Sequence, residues 1–164
     1  MLLKDYIPKI NKKFSKVFFS GISSNSSEVK KNNIFFAIKG NKSDGNNYID
    51  LAIKNGAKIV VSEKKILKNN NDVIFLYSSN VRKLLANVAY KILKKKPKKL
   101  VAVTGTNGKS SVADFYFQIL NFNQKKVASI GTIGIRHKNK KKTLTNTTLD
   151  PIKMCSIIKN LKKK

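Results

Sequence analysis

Cysteine is nearly absent from this sequence of 164 residues, in which Cys155 is the single example. A disulfide within the chain is therefore excluded, and so is a metal cluster held by several cysteines. Long apolar runs are also missing, since no segment approaches the ~18 residues of a membrane-spanning helix. The N-terminal segment interrupts its apolar positions with lysines and so lacks the continuous core of a signal peptide. These absences predict a cytoplasmic protein with no membrane partner.

Acidic residues and arginine are scarce as well. The chain has 35 Lys+Arg against 8 Asp+Glu and a net charge of +27, which is typical of proteins that bind nucleic acid. Only Arg82 and Arg136 are arginines, however, and a nucleic-acid reader would use the bidentate guanidinium group more often. The joint abundance of lysine, asparagine and isoleucine indicates instead an AT-rich coding sequence. We therefore do not expect nucleic acid as a partner.

The N-terminal part alternates short apolar segments with a helical pattern. Strands are predicted over 34–38, 57–62 and 73–77, because each is a short apolar run rich in β-branched or aromatic residues. A helix is predicted over 48–54, ending at Asn55-Gly56, where glycine can adopt the left-handed cap conformation. This alternation favours an α/β layer architecture.

The clearest predicted helix covers residues 79–96, with Ser79 or Asn80 as its cap and Pro97 at its end. Its apolar residues recur at helical spacing and form one stripe: Val81, Leu84, Leu85, Val88, Ala89, Ile92 and Leu93. The basic run that follows indicates a linker. We therefore predict an N-terminal domain of residues 1–97 and the beginning of a second domain in residues 98–164.

In the second domain we predict a βαβ unit, with strands over 100–103 and 127–130 around a helix over 110–122. Residues 137–142 are predicted to form a charged loop, and Asp150-Pro151 to open a last helix. Two parallel strands cannot bury both faces of a sheet. We therefore expect this domain to be incomplete.

The segment TGTNGKSS lies between the predicted strand and helix and carries the main chemical signal. Its glycines permit close approach of backbone amides to phosphate oxygens, and the helix start adds its positive dipole end. Lys109 can reach the β- and γ-phosphates of ATP, and the Ser110 hydroxyl can ligate Mg²⁺. Val103 stands where the general phosphate-loop pattern has its first glycine, so a glycine-rich turn with a chance Lys-Ser remains the alternative. The predicted ATP site comprises Gly105, Thr106, Asn107, Gly108, Lys109, Ser110 and Ser111.

The longer string VAVTGTNGKSSV resembles the ATP loop of the Mur ligase superfamily, which also contains folylpolyglutamate synthetases. Residues 33–37, with Gly40 and Asp44-Gly45, resemble the signature of that family's N-terminal uridine-nucleotide domain. GTIG at 131–134 and NTTLDP at 146–151 resemble motifs of the branch that adds the third peptide residue. Folylpolyglutamate synthetases place the loop near the N-terminus, without the ~100-residue domain that precedes it here.

The resemblance implies a ligase that uses ATP and Mg²⁺ to phosphorylate a carboxylate, which an amine then attacks. It implies UDP-N-acetylmuramoyl-L-alanyl-D-glutamate and an amino acid, diaminopimelate or lysine, as substrates in peptidoglycan precursor synthesis, and a monomer. The implied catalytic residue is Lys109, and the implied metal ligand is Ser110. The residues implied for the UDP-N-acetylmuramoyl-dipeptide are Asn25, Ser27, Lys42, Ser43, Asp44, Asn146, Thr147 and Thr148.

The sequence departs from the family in two places. Ser26-Ser27-Glu28 stands where the family usually has Asp-Ser-Arg, and Leu149 replaces a proline. The family's acidic Mg²⁺ ligand, carbamylated lysine and C-terminal domain would lie beyond Lys164, so we expect an N-terminal fragment without turnover of its own. The alternatives are a non-catalytic or degenerate nucleotide-binding module, the ligase that adds the terminal dipeptide, and a basic nucleic-acid-associated protein.

Overall fold

The computed structural model describes residues 1–8, 10–41, 43–66, 72–94, 96–138, 140–144 and 149–161. The chain divides into two compact units, Met1–Leu93 and Lys94–Lys164. No helix in these ranges is long and apolar enough to cross a membrane.

The first unit contains a sheet of four parallel strands in the order of the chain. The strands are β1 (Gly21–Ser23), β2 (Asn33–Ala37), β3 (Ala57–Ser62) and β4 (Ile74–Tyr77). The three predicted strands are confirmed to within one residue at each end. Strand β1 was not predicted because three residues, one of them glycine, give too short an apolar pattern.

Two α-helices accompany this sheet, α1 (Ile49–Lys54) and α2 (Val81–Ile92). Helix α1 ends as predicted, with Gly56 at a φ of 103°. Helix α2 is shorter than predicted and begins after Asn80, whose side chain accepts a hydrogen bond of 2.8 Å from the Lys83 amide. Short 3₁₀ helices cover Leu3–Asp5, Lys12–Phe14, Ser26–Glu28 and Gly45–Tyr48.

The core of the first unit covers both faces of the sheet. Every residue of β2 is buried, as expected for a central parallel strand. Phe35 packs in a cluster with Ile49 and Ala52 of α1. Ile34 and Phe36 point to the opposite face because side chains alternate along a strand, and α2 packs against β2. The α2 residues that are buried are Val81, Leu85, Val88 and Ala89, which confirms the predicted stripe.

The second unit contains α3 (Lys109–Phe122), a three-stranded antiparallel sheet and α4 (Pro151–Leu161). The strands are β5 (Ala128–Gly131), β6 (Gly134–His137) and β7 (Lys140–Lys142). Helix α3 is confirmed. So is the opening of α4, where the Asp150 carboxylate accepts hydrogen bonds of 2.8 and 2.9 Å from the amides of Ile152 and Lys153.

Two predictions for the second unit are wrong. Residues 100–103 form no strand, and Leu100 and Val101 are 69% and 58% exposed, since no described strand pairs with them. The described residues therefore contain no βαβ unit here. Residues 137–142 are not a loop throughout, because they carry the end of β6 and all of β7. Backbone pairing rather than side-chain burial forms β7, and an exposed lysine run carries no periodicity that would reveal it.

Candidate functional site

The predicted phosphate loop is an exposed, irregular segment that leads directly into α3. Gly105 has a φ of 151° and Gly108 a φ of 73°, and L side chains are strained in this region. Apart from its chain neighbours and its own helix, no described atom lies within 4 Å of the position that a Cβ would occupy at Gly108. The backbone conformation, and not lack of space, therefore favours glycine there.

The first turn of α3 presents amides that have no partner within the helix. Gly108 is the N-cap residue and offers no side-chain hydrogen bond, and the first intrahelical bond runs from the Val112 amide to the Gly108 carbonyl at 2.9 Å. The amides of Lys109, Ser110 and Ser111 precede that bond and have no intrahelical acceptor. Together with the positive end of the helix dipole, they can bind an anion.

The Lys109 ammonium folds back over the same loop. It donates hydrogen bonds to the carbonyl oxygens of Gly105 and of Thr106, the second at 2.7 Å. The side chain is exposed, so its charge can also reach a ligand. The seven residues predicted from the loop motif thus lie in this exposed segment and in the first turn of α3.

Ser110 contacts a residue that was not predicted as part of the site. Its hydroxyl oxygen lies 2.7 Å from that of Thr132, in the turn between β5 and β6. The signal was present in the sequence, since Thr132 belongs to the GTIG motif. The motif indicated a branch of the family, but it did not predict that Thr132 contacts Ser110.

The loop fits Mg²⁺ only as a partner of phosphate. Among the residues the structure describes, no group of three His, Cys, Asp or Glu side chains could hold a metal ion. Asp114 of α3 is engaged elsewhere, since it pairs with Arg136 and accepts a hydrogen bond of 2.6 Å from Gln118. The Ser110 hydroxyl is a suitable oxygen ligand, and nucleotide phosphates and water are the usual remaining ligands of Mg²⁺.

In the first unit, the predicted substrate residues lie in loops that follow β1 and β2. These adjacent strands are parallel, so both loops leave the carboxyl edge of the sheet, where α/β proteins bind ligands. The Asn25 side chain accepts hydrogen bonds from the Ser27 amide at 3.1 Å and the Ser27 hydroxyl at 2.9 Å. It also donates to Glu28 at 3.3 Å. Asn25, Ser27 and Glu28 therefore fix one another in this loop.

Asp44 anchors the second of these loops. Its carboxylate accepts hydrogen bonds from the Asn46 amide at 2.9 Å and the Asn46 side chain at 2.6 Å, and pairs with Lys64 at 3.2 Å. These contacts, chiefly the backbone amide of Asn46, lower the pKa of Asp44 from 3.8 to about 2. The neighbouring Ser43 is exposed, and its carbonyl accepts a hydrogen bond of 2.8 Å from Gly40.

Four predicted substrate residues lie outside the residues that the structure describes. They are Lys42, Asn146, Thr147 and Thr148.

Comparison with known protein families gives a match for each part of the chain. The protein-family model described as "Mur ligase family, catalytic domain" matches residues 19–99, and the one described as "Mur ligase middle domain" matches residues 103–164. The glycine loop at the start of α3 lies within the second of these matches. The chain belongs to the Mur ligase family, which confirms the predicted resemblance.

Three relatives share the name UDP-N-acetylmuramoyl-L-alanyl-D-glutamate–2,6-diaminopimelate ligase. The protein of Rickettsia prowazekii (strain Madrid E) is 44% identical over 77% of this chain and 26% of its own length. That of Rickettsia typhi (strain ATCC VR-144 / Wilmington) is 39% identical over 93% of this chain and 31% of its own length. That of Wigglesworthia glossinidia brevipalpis is 33% identical over 99% of this chain and 34% of its own length.

A solved structure of a ligase with the same name shows the same fold. It covers 99% of this chain and 34% of its own chain, with a TM-score of 0.79 and 24% identity. The chain thus spans about one third, or less, of the length of these relatives.

Proposed function

We propose that this chain forms the uridine-nucleotide unit and the ATP phosphate loop of a ligase that extends UDP-N-acetylmuramoyl-L-alanyl-D-glutamate. The name shared by the three relatives supports 2,6-diaminopimelate, rather than lysine, as the amino acid added. In this proposal Met1–Leu93 holds the uridine-linked substrate and Lys94–Lys164 the phosphates of ATP.

The proposed reaction joins a carboxylate to an amine. The carboxylate of the dipeptide takes the terminal phosphoryl group of ATP and ADP leaves. The amine of the amino acid then displaces inorganic phosphate and loses a proton to leave an amide. The residues of the phosphate loop serve the phosphoryl-transfer step by stabilising the negative charge of the ATP phosphates. The amides of the first turn of α3 and the Lys109 ammonium bind the terminal phosphates, and Ser110 supplies one oxygen ligand to Mg²⁺.

The observation that carries the proposal is the arrangement of Gly105, Gly108 and Lys109 at the start of α3. Two glycines at positive φ turn the backbone so that it enters α3 with its first amides free of intrahelical acceptors. Lys109 places a positive charge within 2.7 Å of a loop carbonyl. A chance glycine turn would not combine these features with a family match that extends through the loop.

The uridine-linked substrate is proposed to bind at the carboxyl edge of the first sheet. Asn25 and Ser27 in one loop, and Ser43 and Asp44 in the next, would provide polar contacts. The ionised Asp44 carboxylate orders the second loop and is already paired with Lys64. Lys42, Asn146, Thr147 and Thr148 enter this proposal through the family resemblance alone.

Calorimetric titration of the 164-residue chain with Mg·ATP tests the proposal. We expect saturable binding that weakens by about 10-fold or more in Lys109→Ala, because a hydrogen bond to a charged group contributes about 1.5–3 kcal/mol. Lys83→Ala is the matched control, since Lys83 is also an exposed lysine in the first turn of a helix. Absence of binding in folded wild-type protein, or equal losses in both variants, would contradict the phosphate-loop assignment.

A further inference from the structure

The hydroxyl groups of Ser110 and Thr132 form a contact between two separate elements. Ser110 lies in the first turn of α3, and Thr132 lies in the turn between β5 and β6, 22 positions later. Their oxygens are 2.7 Å apart, a normal length for a hydrogen bond between hydroxyls. Both side chains are exposed, so burial does not set this distance. It is set by the positions of the two backbone segments, the first turn of α3 and the turn between β5 and β6.

The turn that carries Thr132 is rigidly built. Gly131 pairs with Gly134 across it, which leaves a tight connection of two residues. Gly134 has a φ of 106°, and a Cβ at this position would collide with the carbonyl oxygen of Lys142 in β7. The backbone pairing across the turn and the close approach of β7 to Gly134 therefore both restrict the conformation of the turn. Thr132 is held against the start of α3 by the whole antiparallel sheet.

The chemistry of a hydroxyl ligand gives this contact a role. A serine hydroxyl coordinates Mg²⁺ through an oxygen lone pair, so its proton must point away from the cation. The Thr132 oxygen lies within hydrogen-bond distance of Ser110 Oγ and can accept that proton. Loss of this acceptor would leave Ser110 free to turn its proton or its rotamer towards the metal side.

We propose that Thr132 is a positioning residue that orients the Ser110 hydroxyl towards the Mg²⁺ of Mg·ATP. This inference rests on the proposed function, because it requires the loop to bind a nucleotide. It concerns a residue for which the loop motif itself gives no role. Thr132 acts through Ser110 and does not itself contact the nucleotide.

The test compares ATP binding with and without metal in the full 164-residue chain. Thr132→Val removes the hydroxyl and keeps the shape of the side chain. We expect its Kd for ATP to rise about 3- to 10-fold in excess Mg²⁺, which corresponds to one hydrogen bond, and to change less than about 2-fold in EDTA. Thr132→Ser should restore the wild-type value in Mg²⁺. In a Ser110→Ala background, Thr132→Val should cause no further loss.

Each outcome decides between the roles. An unchanged Kd in Mg²⁺ for Thr132→Val, with normal wild-type binding, overturns the positioning role and leaves the proposed function intact. Equal losses in Mg²⁺ and in EDTA show a structural role for the turn and also overturn it. Absence of wild-type binding removes both proposals. If Thr132→Val does not fold, Thr132→Ala carries the same expectations.

Discussion

The two units of the chain are built on different amounts of core. Of the 21 apolar side chains that are buried among the described residues, 20 belong to Met1–Leu93 and only Phe117 to Lys94–Lys164. The first unit therefore owes its order to burial on both faces of a parallel sheet. In the second unit, the candidate phosphate site depends on local backbone geometry.

This difference shows what each kind of site needs. The loops proposed for the uridine-linked substrate follow β1 and the buried strand β2, so their positions depend on the whole sheet. The phosphate loop needs two glycines, one helix start and a lysine, all within a few residues. Helix α3 meanwhile exposes an apolar stripe of four residues, from 54% to 88% exposed: Val112, Phe115, Ile119 and Phe122.

The largest expected effect is loss of stability in the first unit. Leu85 is fully buried in α2, so Leu85→Ala should lower the free energy of unfolding by about 2–5 kcal/mol through lost burial and a residual cavity. Urea denaturation measures this loss. Amide exchange followed by mass spectrometry should show faster exchange in β2 and unchanged exchange in α3.

Leu84→Ala is the matched control for that experiment, because Leu84 lies on the same helix and is only half-buried. It should cost less than half as much. Equal losses at the two positions would contradict the burial pattern of α2, and faster exchange in α3 would show that the loss of stability is not confined to the first unit.

A smaller effect is expected from Asp44 and depends on pH. The pKa of Asp44 is about 2 in the folded chain against an ordinary 3.8, so the carboxylate stabilises the fold above about pH 4. That stability is lost as the pH falls through about 2. Asp44→Asn should therefore lower stability at pH 6, and the difference from wild type should shrink between pH 4 and pH 2 in urea titrations.

Lys64→Met separates the causes of this shift. The hydrogen bonds from Asn46 lower the pKa of Asp44 more than Lys64 does. Most of the pH dependence should therefore remain in Lys64→Met. Its disappearance would assign the effect to the ion pair instead.

The sequence predicted the first unit better than the second, and the reason is physical. Buried strands such as β2 and β3 leave apolar runs, and α2 leaves an apolar stripe, because burial selects side chains. Strand β7 consists of three exposed lysines, so hydrogen bonding forms it without a side-chain signature. The prediction of a strand over 100–103 was wrong for a different reason. These residues are an apolar run, but a strand also needs a partner strand with which its backbone can pair.

The local geometry of the predicted phosphate loop could be expected from its sequence, whereas its binding of phosphate stays a prediction. Glycines, lysine and serine at fixed spacing determine both the backbone shape and the charge. The contact of Ser110 with Thr132 was not predictable, since it joins elements that only the folded turn brings together. The Asn25–Ser27–Glu28 cluster was likewise not predicted, because the sequence departs from the family's Asp-Ser-Arg at this place and uses amide and hydroxyl hydrogen bonds.

The smallest effect is expected at the exposed end of α3. On this helix Phe117 is 3% exposed, whereas Phe115 is 62% exposed. Phe122 is 88% exposed, so Phe122→Ala should change the free energy of unfolding by no more than about 0.5 kcal/mol.

Phe117→Ala makes the same chemical change on the same helix and should cost about 3 kcal/mol. Its ring is buried and also carries the Arg136 guanidinium 4.6 Å from its centroid. Urea denaturation of both variants, with α3 exchange as a local probe, measures the contrast. A loss above 1 kcal/mol in Phe122→Ala would mean that the apolar stripe is covered in solution, and the second unit would then have a larger core than its buried residues indicate.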